Sequence, residues 1–549
     1  MDGSGAGKSA SYSKPNAYQK LGSYVFTDPK GELYDDTAGY LQRNGYKIKV
    51  LNLVNPKCSD GYNPLAHVKS DLDVDVIAET IVKGQNKAGG AADPFWDDTA
   101  TMLLKALIYY LLATRPPEEQ NLASCAEMVR AAAADSNGSN LLKEMMSVLP
   151  LDHPARTYYK NVEVASEKTF SSILVSVQAK LGKFDSKDIA EVTSTDTISF
   201  EEIGTIKTAV YVISSDTHTA YDFLLTIFFA QMIQQLYDVA DKSPGGKLKM
   251  PTYFILDEFA NIGQIPDFDK KISTSRSRKI SFSVILQNLD QLEAIYDKAY
   301  ETIMGNCDTH LFLGSNSTKT VEYFSKALGE KTISRSSTSK SKDKDGHKSG
   351  TQDSDQIMAR ALMTPDELRR MSMDYCIIYE KGIKPVKAHK LFFFKTNMIK
   401  EFNKFKLDHN QFDAGVRGVW RKFNPYNPDQ GIDEKPKDLK VESLDDLFDD
   451  DVPNDDKSKQ SNNNTINNSD TNLNNKLNTV PSLESNTSQN PKGEKSQNII
   501  TDNELDELLF DDDILSSDEP KDDEILDIQK ELEAKFDELF GPIDDDSQD

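Results

Sequence analysis

Gly3–Ser9 reads GSGAGKS. The small residues Gly3, Ser4, Gly5, Ala6 and Gly7 let a loop turn its backbone N–H groups inward on a phosphate. Lys8 is spaced to reach the β- and γ-phosphates of a bound nucleotide, and the Ser9 hydroxyl to hold Mg2+. The full loop pattern asks for glycine five residues before Gly7, where this chain has Asp2, and for a buried strand ahead of the loop, where it has only Met1. A second segment carries matching chemistry. Tyr253–Glu258 reads YFILDE, an apolar run closed by two carboxylates. A strand-end aspartate, Asp257, suits Mg2+, and the following Glu258 can polarise an attacking water. An acidic pair capping a helix is the plainer reading of the same residues. Loop and pair together predict a site for ATP with Mg2+.

Two features downstream fit the same chemistry. Phe282–Gln287 reads FSVILQ, and a glutamine at that strand end, Gln287, can sense the γ-phosphate. Ser273–Arg278 reads STSRSR; Arg276, or in second place Arg278, can reach across a subunit interface towards transferred charge. Either arginine reads equally as a solvated surface residue.

The elements that must position these residues alternate. Candidate strands are Tyr24–Thr27, Lys47–Leu51, Ala209–Ile213, Tyr253–Leu256, Phe282–Leu286 and Thr309–Leu313, several of them bare apolar runs. Runs of that kind suit parallel strands covered on both faces. Helical patterns such as Ala220–Tyr237 and Lys319–Leu328 lie between them, so the chain reads as a doubly wound α/β fold. From Pro94 to Leu181 helical patterns follow one another without a strand, which predicts an inserted all-α domain rather than a series of crossover helices. Ile333–Asp355 is a Ser/Lys/Asp/Gly stretch that reads as a mobile loop. The expected division is 1–93 and 182–430 for the two parts of the nucleotide-binding domain, 94–181 for the all-α domain, and 431–549 for a disordered acidic tail.

Charge supports that last boundary. Gly431–Asp549 holds 35 acidic and 11 basic residues, a net −24 out of the chain's −25. The preceding residues are therefore close to neutral, and the overall acidity does not exclude nucleic-acid binding, which local patches decide. Three tail segments resemble one another: LDDLFDDD (Leu444–Asp451), LDELLFDDD (Leu505–Asp513) and FDELFGPIDDD (Phe536–Asp546). They read as docking motifs for a basic groove or as low-complexity drift. The four cysteines form no CxxC pair, which argues against a zinc site or disulfide framework. The longest apolar stretches, Met102–Ala113 and Phe223–Ile233, are too short to span a bilayer.

The ordered series KPNAYQ (Lys14–Gln19), SYVFTDPKGEL (Ser23–Leu33), FILDEFANIG (Phe254–Gly263), ILQNLDQL (Ile285–Leu292), NCDTHLFLGSN (Asn306–Asn316) and MTPDELRRM (Met363–Met371) resembles the type IV coupling proteins of conjugation, the TraG/TraD-like ATPases of type IV secretion. The resemblance covers residues 3 to 395. It implies a RecA-like P-loop NTPase domain with an inserted all-α domain, a homo-hexameric ring and a place at the cytoplasmic face of the bacterial cell membrane. It also implies ATP-driven transfer of relaxase-bound single-stranded DNA into the secretion channel, with relaxosome proteins and channel components as partners. Carried onto this chain, Lys8 and Ser9 hold phosphate and Mg2+, Asp257 supports Mg2+, Glu258 positions water, Gln287 senses the nucleotide and Arg276 acts in trans. Asp28, Pro29 and Lys30 match a family signature near nucleotide- or DNA-facing loops, and a strand-end turn is the equal alternative. Members of the family carry amino-terminal membrane helices and a strand before the loop, so the start of this sequence reads as a truncation, an internal start or a split reading frame. A non-hydrolysing docking platform for relaxosome proteins is the alternative function. A chromosome-segregation or repair translocase shares the site chemistry but lacks the DPKGEL and DELRRM segments.

Deleting Gly431–Asp549 should leave ATP turnover unchanged and weaken capture of relaxosome proteins in a pull-down. Equal capture by both forms would reduce the tail to a solubilising appendage.

Overall fold

The structure is a computed structural model. It describes residues 7–84, 94–134, 141–215, 220–342 and 349–428. Gly3, Ser4, Gly5 and Ala6, and the acidic tail with its repeated motifs, lie outside the described residues. The described residues all belong to one of the chain's two compact units, Met1–Glu434.

After Gly7, Ser9–Ser13 winds as a π-helical turn that runs into α1 (Lys14–Gln19). Then come β1 (Ser23–Thr27), α2 (Glu32–Arg43), β2 (Lys47–Asn52) and α3 (Asp71–Lys83). A helical stretch follows: α4 (Pro94–Thr114), α5 (Leu122–Ala134), α6 (Leu141–Ser147), α7 (Pro154–Glu163), α8 (Glu167–Leu181), α9 (Lys187–Ser194) and α10 (Phe200–Thr205). The chain returns through β3 (Thr208–Ile213), α11 (Asp222–Lys242), β4 (Thr252–Leu256), α12 (Phe268–Thr274) and β5 (Ile280–Val284). The five strands form one parallel sheet in the order β2-β3-β1-β4-β5.

Side-chain alternation explains the bare apolar runs. Val25, Val210, Val212, Phe254 and Leu256 point into one core, which continues through α3, α4, α5, α8 and α11. Their neighbours Tyr24, Phe26, Ala209, Tyr211 and Ile255 point into a second core with α2 on the opposite face. Every second residue is apolar because one face needs it, and those between because the other does. The second face is aromatic: Phe26 stacks on Tyr24 and Tyr211, with centroids 5.4 and 5.1 Å away. Among the described residues α11 alone is long and apolar enough to cross a membrane. It lies inside the first core, with Leu224, Ile227, Phe228 and Met232 fully buried.

Beyond β5 the structure departs from the sequence reading in two places. After α13 (Leu289–Tyr296) and α14 (Ala299–Gly305), β6 (Thr309–Phe312) does not join the parallel sheet. After α15 (Thr318–Leu328), the described part of the Ser/Lys/Asp stretch is strand rather than loop: β7 (Glu330–Lys342) and β8 (Ser349–Ala361) pair antiparallel from Glu330↔Ala361 to Lys342↔Ser349. A search for buried apolar residues misses such a hairpin, because backbone ladder bonds need no core. Past α16 (Pro365–Arg369) come β9 (Tyr375–Glu380) and β10 (Val386–His389), which complete a small antiparallel sheet in the order β10-β9-β6. Then α17 (Met398–Lys404) packs Met398 and Phe402 into the aromatic core.

The final described segment crosses from the sheet to the helical stretch. The Leu407 N–H donates to Asp35 O, Arg417 and Arg421 pair with Glu191 and Glu119, and Phe423 is buried. The chain from Leu407 to Phe423 is thus held by hydrogen bonds and ion pairs at several points and by two aromatic side chains, Phe412 against Tyr34 and the buried Phe423.

The turn after β1 has a distinct electrostatic cost. Asp28 is buried, and its Oδ2 accepts from the Tyr34 N–H in the first turn of α2 (2.8 Å). Burial pushes its carboxyl from the ordinary 3.8 up to about 6, against the lowering effect of the Tyr34 and Leu33 N–H groups. An acid whose folded pKa is raised contributes stability below its unfolded pKa and loses it as pH rises through the folded value. The loss amounts to about 3 kcal/mol between about pH 4 and pH 6. Asp28→Asn keeps an acceptor for Tyr34 and cannot ionise, so its urea stability should gain on the unmodified chain by about that amount over this window. Parallel stability profiles for the two chains would show that Asp28 ionises without cost.

Candidate functional site

The parallel sheet ends at one edge in the carboxyl termini of its strands, where open α/β sheets take ligands. Asp257 and Glu258 follow β4 there, and Gln287 follows the neighbouring β5. Asp257 is held from three directions. Its carbonyl accepts from Thr27 Oγ1 at the end of β1 (2.6 Å), its Oδ1 accepts from the Glu258 N–H (3.0 Å), and its Oδ2 accepts from Ser9 Oγ (2.8 Å). Glu258 adopts φ 51°, a left-handed conformation that costs a residue with a Cβ. The surrounding turn enforces it: the Phe259 N–H donates to Ile285 O (3.1 Å), the Asn261 N–H donates to Glu258 O (2.8 Å), and Phe259 is fully buried.

That turn aims the Glu258 carboxylate at the amino-terminal loop. Lys8 Nζ donates to Glu258 Oε1 (2.9 Å) and lies 3.9 Å from Asp257 Oδ1. Gln287 Nε2 bridges both Glu258 oxygens at 3.0 and 2.9 Å. The structure therefore brings Lys8, Ser9, Asp257, Glu258 and Gln287 together from positions up to 279 residues apart (8 to 287). Arg276 is not among them. It precedes β5, at the opposite end of that strand from Gln287, and its largely exposed guanidinium lies 3.4 Å from Asp308. Arg278 pairs with Asp241 (2.8 Å) and lies over the Tyr237 ring, which makes it a clasp on α11.

The two carboxylates differ in electrostatics. Burial pushes the Asp257 carboxyl up, and the Lys8 charge and Ser9 hydrogen bond counter it only in part. Burial also pushes Glu258 up, but hydrogen bonds from Lys8 and Gln287 and the charges of Lys8 and Lys30 outweigh it, leaving Glu258 below the usual range. The ammonium that holds Glu258 down is the one spaced to meet a phosphate. Glu258 is thus held from two sides, by the Lys8 ammonium and by the Gln287 amide. A hydroxyl and a carboxylate oxygen 2.8 Å apart, Ser9 and Asp257, are donors of the kind that Mg2+ takes.

Sequence reasoning overlooked several contacts. Thr27 braces the Asp257 carbonyl, Tyr12 Oη meets Ser283 Oγ at 2.8 Å between the loop's helix and β5, and the Phe392 ring lies against Gly7. None follows a spacing rule, since each joins elements whose adjacency only the sheet order sets.

The family described as "Type IV secretory system Conjugative DNA transfer" matches residues 1–415. The conjugal transfer protein TraG of Rhizobium radiobacter is 24% identical over 409 residues, covering 72% of this chain and 61% of that protein. Protein VirD4 of the same organism is 24% identical over 402 residues, covering 72% and 56%. The chain thus spans about three fifths of the length of these curated relatives. The solved plasmid coupling protein TrwB, in complex with ADP and Mg2+, overlaps more loosely: TM-score 0.47, 17% identity, 71% of this chain and 84% of that one.

Replacing Asp257 by Asn keeps one acceptor for the Glu258 N–H, offers the Ser9 hydroxyl an NH2 donor in place of the second oxygen, and removes a charge that burial disfavours. Its melting temperature without ligand should therefore hold or rise, while the upward shift given by Mg2+ and ATP disappears. A fall of several degrees without ligand would show that the Asp257 charge supports the fold.

Proposed function

The chain belongs to the family of type IV secretory system conjugative DNA transfer proteins, and on that footing we propose that it is the ATP-driven coupling motor that feeds single-stranded DNA to a conjugative secretion channel. One observation carries the reading: a lysine and serine from the amino-terminal loop meet an Asp-Glu pair about 250 residues away, with a glutamine from the next strand closing the group.

Each residue takes a role that its position suits. Lys8 pairs with the β- and γ-phosphates, and Ser9 and Asp257 hold Mg2+. When bound, Mg2+ supplies charge to the phosphate oxygens. Glu258, released from Lys8, accepts the hydrogen bond of the attacking water, and Gln287 fixes its orientation. Gly3, Ser4, Gly5, Ala6 and Gly7 cradle phosphate with their N–H groups. Arg276, exposed at the far end of β5, serves a neighbouring subunit's site in a hexameric ring. Residues 94–181 act as an all-α domain, and the segment after 431 recruits relaxosome proteins. The working place is the cytoplasmic face of the bacterial membrane, beside the channel components. DNA is gripped through phosphates, so binding is salt-sensitive and sequence-tolerant.

ATP hydrolysis measured with and without single-stranded DNA tests the proposal. Turnover should rise with DNA, vanish in Lys8→Ala, and fall about 10²- to 10⁴-fold in Glu258→Gln with nucleotide binding retained. Full activity in Lys8→Ala would remove the loop from the site. Absence of turnover at saturating ATP and DNA would leave a docking platform in place of a motor.

A further inference from the structure

The segment Lys390–Lys395, KLFFFK, was absorbed by no motif, yet it stands against the phosphate loop. Gly7 has φ +84°, and a Cβ placed on it would lie 2.8 Å from Phe392 Cε1. The Phe392 ring therefore abuts the loop backbone, and only glycine leaves it room. The segment is anchored on both sides. Buried Lys390 donates to Leu313 O (2.7 Å), and Phe393 turns inward, with Lys14 Nζ 4.7 Å from its ring centroid. Phe394 turns outward again. Its ring stacks on Phe392 at 5.1 Å and 29°, and the residue is 48% exposed. An aromatic pair thus runs from the loop towards solvent, ending in a half-exposed ring that Phe392 stacks and Phe393 meets edge-on at 5.7 Å.

A triphosphate gains nothing from such a surface, but the group it carries does. We propose that Phe392 and Phe394 form the seat of the nucleotide's base, with Phe392 fixing the pair to the loop and Phe394 presenting the stacking face. This rests on the reading of the loop as a nucleotide site. Stacking needs only a π-face, which every base has. The seat therefore accepts adenine and guanine alike, and selection falls on the triphosphate.

Calorimetric titration of the full chain with ATP, GTP and inorganic tripolyphosphate, each with Mg2+, separates base from phosphate. In Phe394→Ala both nucleotides should bind about 5- to 150-fold more weakly, while tripolyphosphate binds as before. Phe394→Trp should restore both nucleotides. Equal losses for nucleotide and tripolyphosphate would make the pair a brace of the loop and overturn the proposal, as would unchanged ATP affinity. An unmodified chain that takes neither ATP nor tripolyphosphate would instead sink the nucleotide-site reading itself.

Discussion

The hydrogen-bonded ion pair between Lys8 and Glu258, with Ser9 on Asp257 beside it, is the constraint on which the rest of the arrangement depends. It ties the first described residues to a strand end about 250 positions later. A half-buried carboxylate and a nearly buried ammonium satisfy each other. Gln287 holds the same carboxylate from its other side.

The sheet supplies the rigidity for that arrangement. Because β1, β4 and β5 run parallel and in register, Thr27, Asp257 and Gln287 emerge at one edge. The central strands β3, β1 and β4 are packed on both faces, by the helical core on one side and by a largely aromatic core on the other. The left-handed turn at Glu258 is maintained by buried Phe259 and by backbone hydrogen bonds to the β5 end. Backbone strain at Glu258 is therefore offset by packing a few residues away.

The parallel strands up to β5 were legible in the sequence, since strands buried on both faces leave unbroken apolar runs such as YVF and YFIL. Thr309–Leu313 looked the same, yet it pairs antiparallel with β9 in a second sheet. An apolar run reports burial, not partner. The polar residues of β7 and β8 carry no burial signal, so their sequence reads as a loop although the two strands pair. At the site, Lys8, Ser9, Asp257, Glu258 and Gln287 were legible because their chemistry forces a residue type at a fixed distance from a strand end. Thr27, Phe392 and Phe394 were not, because bracing a carbonyl or lining a loop can be done by many residues from many places. Arg276 was chosen from its neighbourhood in sequence, and within this chain it stays away from the cluster.

The most direct test is a crystal structure of the chain with Mg2+ and a non-hydrolysable ATP analogue. The account predicts Lys8 Nζ on the β- and γ-phosphate oxygens, Ser9 Oγ about 2.1 Å from Mg2+, and Glu258 parted from Lys8 but still bridged by Gln287. A triphosphate bound elsewhere, with the Lys8–Glu258 pair intact, would contradict it.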